Sequence, residues 1–296
     1  MSAPSVVAIG GGHGLAATLR AARLYAGQIT AVVSIADDGG SSGRLREVLQ
    51  VPAPGDIRRC LAALADDDSM LGAALEHRFE AGELAGHPLG NLLIAGLAEA
   101  GGDFVEAVAE VGRLVGAVGT VLPAAVEPVV LKAESSVGTV EGQVEVQDSS
   151  GIRLVTLVPP NPRSSPAAVE AIAAADQIVL GPGSLYTSVI AAVLVPDIQD
   201  AVMASSAQRV YVANLECREP ETEGYTTADC IDALRDHGVR ADVVLCHPAQ
   251  DACEGVAPPC VERPLATADG RAHDPALLAD ALRELAVGTT GKDLVG

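Results

Sequence analysis

Five residues, Gly10, Gly11, Gly12, His13 and Gly14, follow an apolar run ending at Ile9 and precede LAATLRAARLY, whose apolar positions recur at helical spacing. Such a junction lets the backbone turn tightly, approach a phosphate and stabilise its charge with the free N–H groups of a helix start. Gly12, Gly14 and Ala17 meet a relaxed dinucleotide-binding pattern, which is weak evidence by itself. A second cluster, DDGGSSGR, ends the next apolar run. Asp37 sits there where a nucleoside sugar would be read. Asp38 is harder to place, because a carboxylate about 4 Å from a phosphate charge is repelled by roughly 4 kcal/mol at an effective dielectric of 20. Either Mg²⁺ bridges Asp38 to the phosphate, with Asp56 as a second oxygen ligand, or Asp38 accepts from sugar hydroxyls. Ser41 and Ser42 add hydroxyl and N–H donors beside Arg44.

Further loops have the same character. PGDIRR places Gly55, Asp56 and Arg58 at a helix start, where Asp56 can equally be an N-cap. GHPLGN ends on Gly90 and Asn91, whose amide suits a base edge, a sugar or a helix start. GPGSLYTS, with Gly181, Gly183 and Ser184, follows an apolar strand and opens a helix, so a second anion cradle is expected. Asn214 ends another strand and would face the same crevice. His13 and His87 have no metal partner at a diagnostic spacing and read as hydrogen-bonding loop histidines. The six cysteines form no CxxC pair, and Cys246, His247, Cys253 and Cys260 do not match zinc-ligand spacing, so reduced thiols are expected. No GxSxG, Walker lysine or HExxH sequence is present.

The elements that must hold these loops alternate. Strand patterns at 5–9, 28–36, 154–158, 177–180, 209–213 and 242–246 are interleaved with helical patterns, including 167–175, 189–194, 227–237 and 275–286. This predicts an α/β fold: a three-layer, Rossmann-like, doubly wound and mainly parallel sheet. The chain 1–296 is expected to be one such domain, with a helical insertion at about 67–120 and a β-hairpin excursion at about 121–150. The excursion is read from alternation at Val126, Val129 and Leu131, then Val140, Val144 and Val146. The stretch 255–275 reads as irregular, and 288–296 as a fraying end.

Bulk composition narrows the partners. Nineteen Lys and Arg against 39 Asp and Glu give a formal net charge of −20. Such a field repels nucleic acid and anionic membranes. No apolar run reaches the 18 or so residues of a membrane span, and MSAPSVVAIGGG lacks the parts of a secretory signal, so a cytoplasmic protein is expected. Homo-oligomerisation stays open.

Taken in order, GGGHGLAATLR, ADDGGSSGRLRE, PGDIRRCLAALA, GHPLGN, GPGSLYTS and YVANLE resemble the gluconeogenesis factor family, in the superfamily typified by 2-phospho-L-lactate transferase. The resemblance runs from the first strand to about Cys246. It implies a Rossmann-like fold, binding of UDP-sugars such as UDP-N-acetylglucosamine or UDP-glucose, and a regulatory role with an unidentified protein partner. It further implies support of growth on gluconeogenic carbon sources and of cell shape and wall synthesis. The transferase relatives bind Mg²⁺ through aspartates and use a guanylated phospholactate donor, which makes Asp38 and Asp56 the positions to carry over for metal. A regulatory binder is the first reading and a Mg²⁺-dependent transferase the second. An NAD-dependent oxidoreductase ranks last, because the DDGGSSG loop is superfluous to it. The chain departs from the family at His13, where many relatives have Thr, and at REPET, where Pro220 replaces the glycine of QPGET.

Overall fold

The first strand, β1 (Ser5–Gly10), is buried along almost its whole length, as a strand covered on both faces must be. It anchors a computed structural model that describes residues 3–136, 138–248 and 257–288. The other strands are β2 (Gln28–Val33), β3 (Thr120–Pro123), β4 (Val130–Ser135), β5 (Gly138–Glu141), β6 (Leu154–Val158), β7 (Gln177–Leu180), β8 (Gln208–Val212), β9 (Val243–Cys246) and β10 (Cys260–Glu262). Helices α1 (Gly12–Ala22), α2 (Gly40–Leu49), α3 (Gly55–Leu64), α4 (Met70–Ala74), α5 (Leu89–Gly101), α6 (Phe104–Leu114) and α7 (Gln143–Gln147) precede β6, and further helices follow it.

Seven strands form one sheet in the order β10-β9-β8-β7-β1-β2-β3, and every pairing in it is parallel. Chain order runs outward from β1 in one direction through β2 and β3, and from β7 in the other through β8 to β10. The strand order therefore reverses between β1 and β7, where Ile9 pairs with Leu180, so the loops that open at Gly10 and Gly181 leave the sheet side by side. Beyond the carboxyl ends of strands at such a reversal lies the crevice that open α/β sheets use for ligands. The fold is the expected doubly wound Rossmann-like α/β sheet.

Three local expectations are corrected. Strand β6 joins β4 and β5 in a separate antiparallel sheet of order β5-β4-β6 instead of the main one. Its composition, LVTLV, imitates a fully buried strand, yet only Val155 and Leu157 face inward. The alternation at Val144 and Val146 belongs to α7: Gly142, at φ +103°, ends the strand, and the Asp38 carboxylate receives the N–H groups of Gln143 and Val144 that start the helix. Finally, Cys260–Glu262 in the stretch read as irregular is the edge strand of the main sheet, while 255–256 and 289–296 lie outside the described residues. Among the described residues no single helix is long and apolar enough to cross a membrane.

A candidate anion site at the strand reversal

Four helices, α1, α2, α3 and α5, begin beyond the carboxyl ends of these strands, and none has a side-chain cap from its own N-cap residue. Elsewhere α4, α6 and the helix Thr227–Asp236 are capped by Ser69, Asp103 and Thr226, while the helices Pro166–Ala173 and Pro196–Ala204 also lack such a cap. The uncapped ends converge on one cavity of about 450 Å³, lined by Gly11–Gly14, Gly40–Ser42, Gly55, Asp56 and Asn91 from those four helix starts. A helix N-terminus carries roughly half a positive charge and free N–H donors; at α5 the Leu89 and Gly90 N–H groups are taken by the His77 and Leu75 carbonyls, so the starts of α1, α2 and α3 are the ones that favour an anion. Arg58, Arg59 and Arg78 line the same cavity, Arg58 paired with Glu76 and Arg59 with Asp56.

Two carboxylates line it. Asp37 Oδ1 accepts the Gly39 N–H at 2.9 Å, and Asp56 Oδ1 accepts from Arg59 at 2.7 Å. Burial raises the Asp56 pKa; the Arg59 charge opposes this and the Asp37 charge adds to it, while a hydrogen bond from the Gly12 N–H favours the ionised form. Glycine is required beside both. A Cβ on Gly11 would stand 2.4 Å from Asp56 Oδ2, and one on Gly55 would stand 2.6 Å from Asp37 Oδ2. The pair expected to hold a metal, Asp38 with Asp56, is not brought together. Asp38 is turned away, with its oxygens 2.9 and 3.1 Å from the Gln143 and Val144 nitrogens, and the acid beside Asp56 is Asp37.

A buried chain of hydrogen bonds runs through the lining residues Arg58, Asn91 and Ser41. Arg58 pairs with Glu76 and donates through Nε to Asn91 Oδ1 at 3.1 Å; Asn91 Nδ2 lies 3.1 Å from Ser41 Oγ, which lies 2.8 Å from His87 Nδ1. Burial, and then the guanidinium groups of Arg44 and Arg78, hold the His87 imidazole below its usual pKa.

On the β7 side, the expected second cradle is largely occupied by the protein itself. The Gly183 N–H donates to Asn214 Oδ1, and Asn214 Nδ2 donates to the Gly183 carbonyl, both at 2.9 Å. The Tyr186 N–H, in the first turn of the π-helical segment Leu185–Ile190, donates to the buried carboxyl of Glu221. Burial pushes Glu221 up to about 8. What remains for a ligand is Ser184 with the Ser188 hydroxyl; the Thr187 hydroxyl is buried beside Glu221. Beyond the Gly183–Ser184 ridge a second cavity of about 280 Å³ shares His13, Gly14 and Glu219 with the first and adds Ala17, Pro182, Asn214, Leu215, Arg271 and His273. Burial pushes His273 down to about 4, so its ring is neutral at physiological pH.

Of the residues expected from sequence, Gly11, Gly12, His13, Gly14, Asp37, Ser41, Ser42, Asp56, Asn91, Gly183 and Ser184 line the first cavity. Asn214 lines the second. Arg44 is directed to the Ala85 carbonyl, Gly90 packs under the Arg58 stem, and Gly181 is buried where its carbonyl accepts from Thr18. Clustered with Arg44, Arg46 and Arg58, Arg59 is expected from sequence to form a local anion site, and Thr187 belongs to the expected GPGSLYTS cradle; both line the first cavity. Sequence reading gave no role to Arg78, Gln143, Gln147 or Glu219; Gln143 and Gln147 carry no signal beyond helical spacing.

Comparisons with known proteins place the chain in a family. Residues 6–260 match the family described as 2-phospho-L-lactate transferase CofD. The chain belongs to that family. Within it, the chain is 43% identical over 237 residues to the gluconeogenesis factor of Bacillus subtilis, covering 79% of the chain and 75% of that protein. It is 42% identical over 251 residues to the gluconeogenesis factor of Halalkalibacterium halodurans, covering 83% and 78%. A Nostoc relative, 46% identical over 250 residues and 82% of the chain, is longer, and the chain spans 55% of its length. The fold of this CofD-family chain superposes on a crystal structure of a UPF0052-family protein from Bacillus halodurans with a TM-score of 0.89 at 36% identity, covering 95% of the chain and 99% of the other.

Proposed function

We propose that the chain is a cytoplasmic regulatory protein that binds a nucleotide-linked sugar of the UDP-sugar class across the two adjoining cavities. The observation that carries this reading is the convergence of the α1, α2 and α3 helix starts and three guanidinium groups on a cavity that also holds hydroxyl-binding groups, Asp37 and Asn91. A diphosphate would rest on the open N–H groups of His13 and Gly14 and on those of Gly40–Ser42. Sugar hydroxyls suit Asp37 and Asn91, which accept and donate at fixed positions. The second cavity, with Ala17, Pro182 and Leu215 in its wall, suits the flat face of a nucleobase. Relatives named gluconeogenesis factor support a role in growth on gluconeogenic carbon sources, and a UDP-sugar ligand would link that role to wall synthesis and cell shape. Titration calorimetry with UDP-N-acetylglucosamine, UDP-glucose and UDP tests the ligand; heat from none of the three removes this reading. Complementation of a deletion strain on a gluconeogenic carbon source, with D37A as the comparison, tests the role.

A Mg²⁺-dependent transferase is the second reading, and the presence of Asp37 and Asp56 in one cavity favours it. The donor set fits the ion: two carboxylates beside a phosphate cradle are what a hard divalent cation that keeps several waters requires. Asp37 and Asp56 would hold it, and the ion would neutralise phosphate charge. Incubation with a guanylated or uridylated donor and a deazaflavin acceptor, followed by mass spectrometry, tests it; product must appear.

A further inference from the structure

The hydrogen-bond chain that ends at His87 has a direction. Arg58 Nε can only donate, so the Asn91 atom it meets at 3.1 Å is the carbonyl oxygen, and the amide nitrogen faces Ser41 Oγ at 3.1 Å. That nitrogen donates to Ser41, whose own proton stays available for His87 Nδ1 at 2.8 Å. His87 accepts it only as a neutral imidazole protonated on Nε2. The charged groups acting on His87 are Arg44 and Arg78, and both favour that neutral form. Ser41 lies in the first turn of α2, whose N-cap Gly39 supplies no side chain, and it borders the cavity that Arg58, Arg59 and Arg78 also line. A hydroxyl bonded to a base whose partners fix its orientation is the arrangement of an activated nucleophile.

We propose that Ser41 is a nucleophile towards phosphorus and His87 its general base. The inference takes its ligand from the nucleotide-sugar reading and adds a chemical step to it. Ser41 Oγ attacks the sugar-bearing phosphorus of the diphosphate. The Oγ–P bond forms as the bond from that phosphorus to the bridging oxygen breaks, and nucleoside monophosphate leaves with the electron pair. The Ser41 proton passes to His87 Nδ1. Water then attacks the same phosphorus, the Oγ–P bond breaks, Ser41 regains a proton, and sugar phosphate leaves. The net reaction is nucleotide sugar plus water giving nucleoside monophosphate and sugar phosphate. Arg59 and Arg78 stabilise charge on the phosphoryl oxygens during both steps. Asn91 and Arg58 act as positioning residues.

Two measurements on the full chain test this. The first is labelling by a small fluorophosphonate, which reports an activated serine without any nucleotide. Adduct mapped to Ser41, absent in S41A and slowed about 10²–10⁴-fold in H87Q, is the expected result. No label on Ser41, or an unchanged rate in H87Q with its thermal transition intact, overturns the proposal. The second is acid-quenched mass spectrometry after mixing with UDP-N-acetylglucosamine, with calorimetric binding measured in parallel. A sugar-phosphate adduct on Ser41 with matching release of UMP supports the step. Bound ligand with neither adduct nor UMP overturns it, as does UMP release that survives in S41A. Labelling of Ser41 together with no heat from any UDP-sugar supports the dyad and removes the ligand reading instead, so the two failures are distinct.

Discussion

Asp38 Oδ2 accepts the Gln143 N–H at 2.9 Å across 105 residues of sequence, and its other oxygen accepts the Val144 N–H at 3.1 Å. Two residues on one short helix, Gln143 and Gln147, form part of the cavity wall, so the loop after β2 sets the position of the small sheet's helix over the ligand site. Asp38 therefore acts on the site at second hand, as the cap of α7.

Replacing Asp38 and Asp37 by Ala should consequently have different signatures. D38A loses two charge-assisted hydrogen bonds to backbone donors, each of the kind worth about 1.5–3 kcal/mol. Hydrogen exchange should accelerate at 142–148, and ligand affinity should fall moderately, about tenfold. D37A should lose more affinity without faster exchange there. Equal exchange in both variants would contradict the capping role.

The glycines after β1 differ in what confines them. A Cβ on Gly14 would meet the Pro182 carbonyl oxygen at 2.3 Å and its carbon at 2.5 Å, both main-chain atoms that cannot rotate aside. G14A must therefore push α1 away from the β7 loop, with a stability loss of about 1–3 kcal/mol or more and loss of ligand binding. Gly12 has φ +66° and nothing within 4 Å of an added Cβ. G12A should cost only the left-handed backbone strain, about 1–2 kcal/mol. Urea denaturation of both variants checks the order.

What could be read in advance follows from the same physics. A parallel strand that ends at a ligand crevice needs glycine to turn and a helix start to present N–H groups, so the junctions at Gly10–Gly14, Asp37–Ser42 and Gly181–Ser184 announce themselves in local sequence. Partners distant in sequence do not. Nothing in DDGG distinguishes the acid that lines the cavity with Asp56 from the one that caps α7, because the choice depends on where Gly142 places the helix. Arg44 and Arg78 show the same limit: both are exposed cations near glycine loops, and only the path of 75–90 puts Arg78 in the cavity wall while Arg44 meets the Ala85 carbonyl.

Glu221 should make stability depend on pH. Its carboxyl titrates near 4.5 when exposed and near about 8 in the fold, where burial dominates. Between those values the folded chain holds a proton that the unfolded chain has released. This stabilising contribution is complete below the lower value and is lost as pH rises to the upper one, by at most about 1.4 kcal/mol per pH unit. E221Q lacks this slope. The difference in unfolding free energy between E221Q and the parent chain should therefore shift in favour of E221Q from pH 5 to pH 8 and then level off. A constant difference in urea titrations across that range would refute the assignment.

Asn214 grips Gly183 by both of its backbone groups at 2.9 Å and so fixes the ridge between the two cavities. N214D keeps an acceptor for the Gly183 N–H but turns an anionic oxygen towards the Gly183 carbonyl, a loss of about 1–3 kcal/mol for the unmet acceptor. N214A removes both bonds yet leaves the half-exposed Gly183 groups open to water. N214D should accordingly be the less stable of the two by thermal unfolding, and calorimetry should show weaker ligand binding in both. A residue that merely touched the ligand would lose affinity with its thermal transition unmoved, and that outcome would assign Asn214 to the ligand instead of to the ridge.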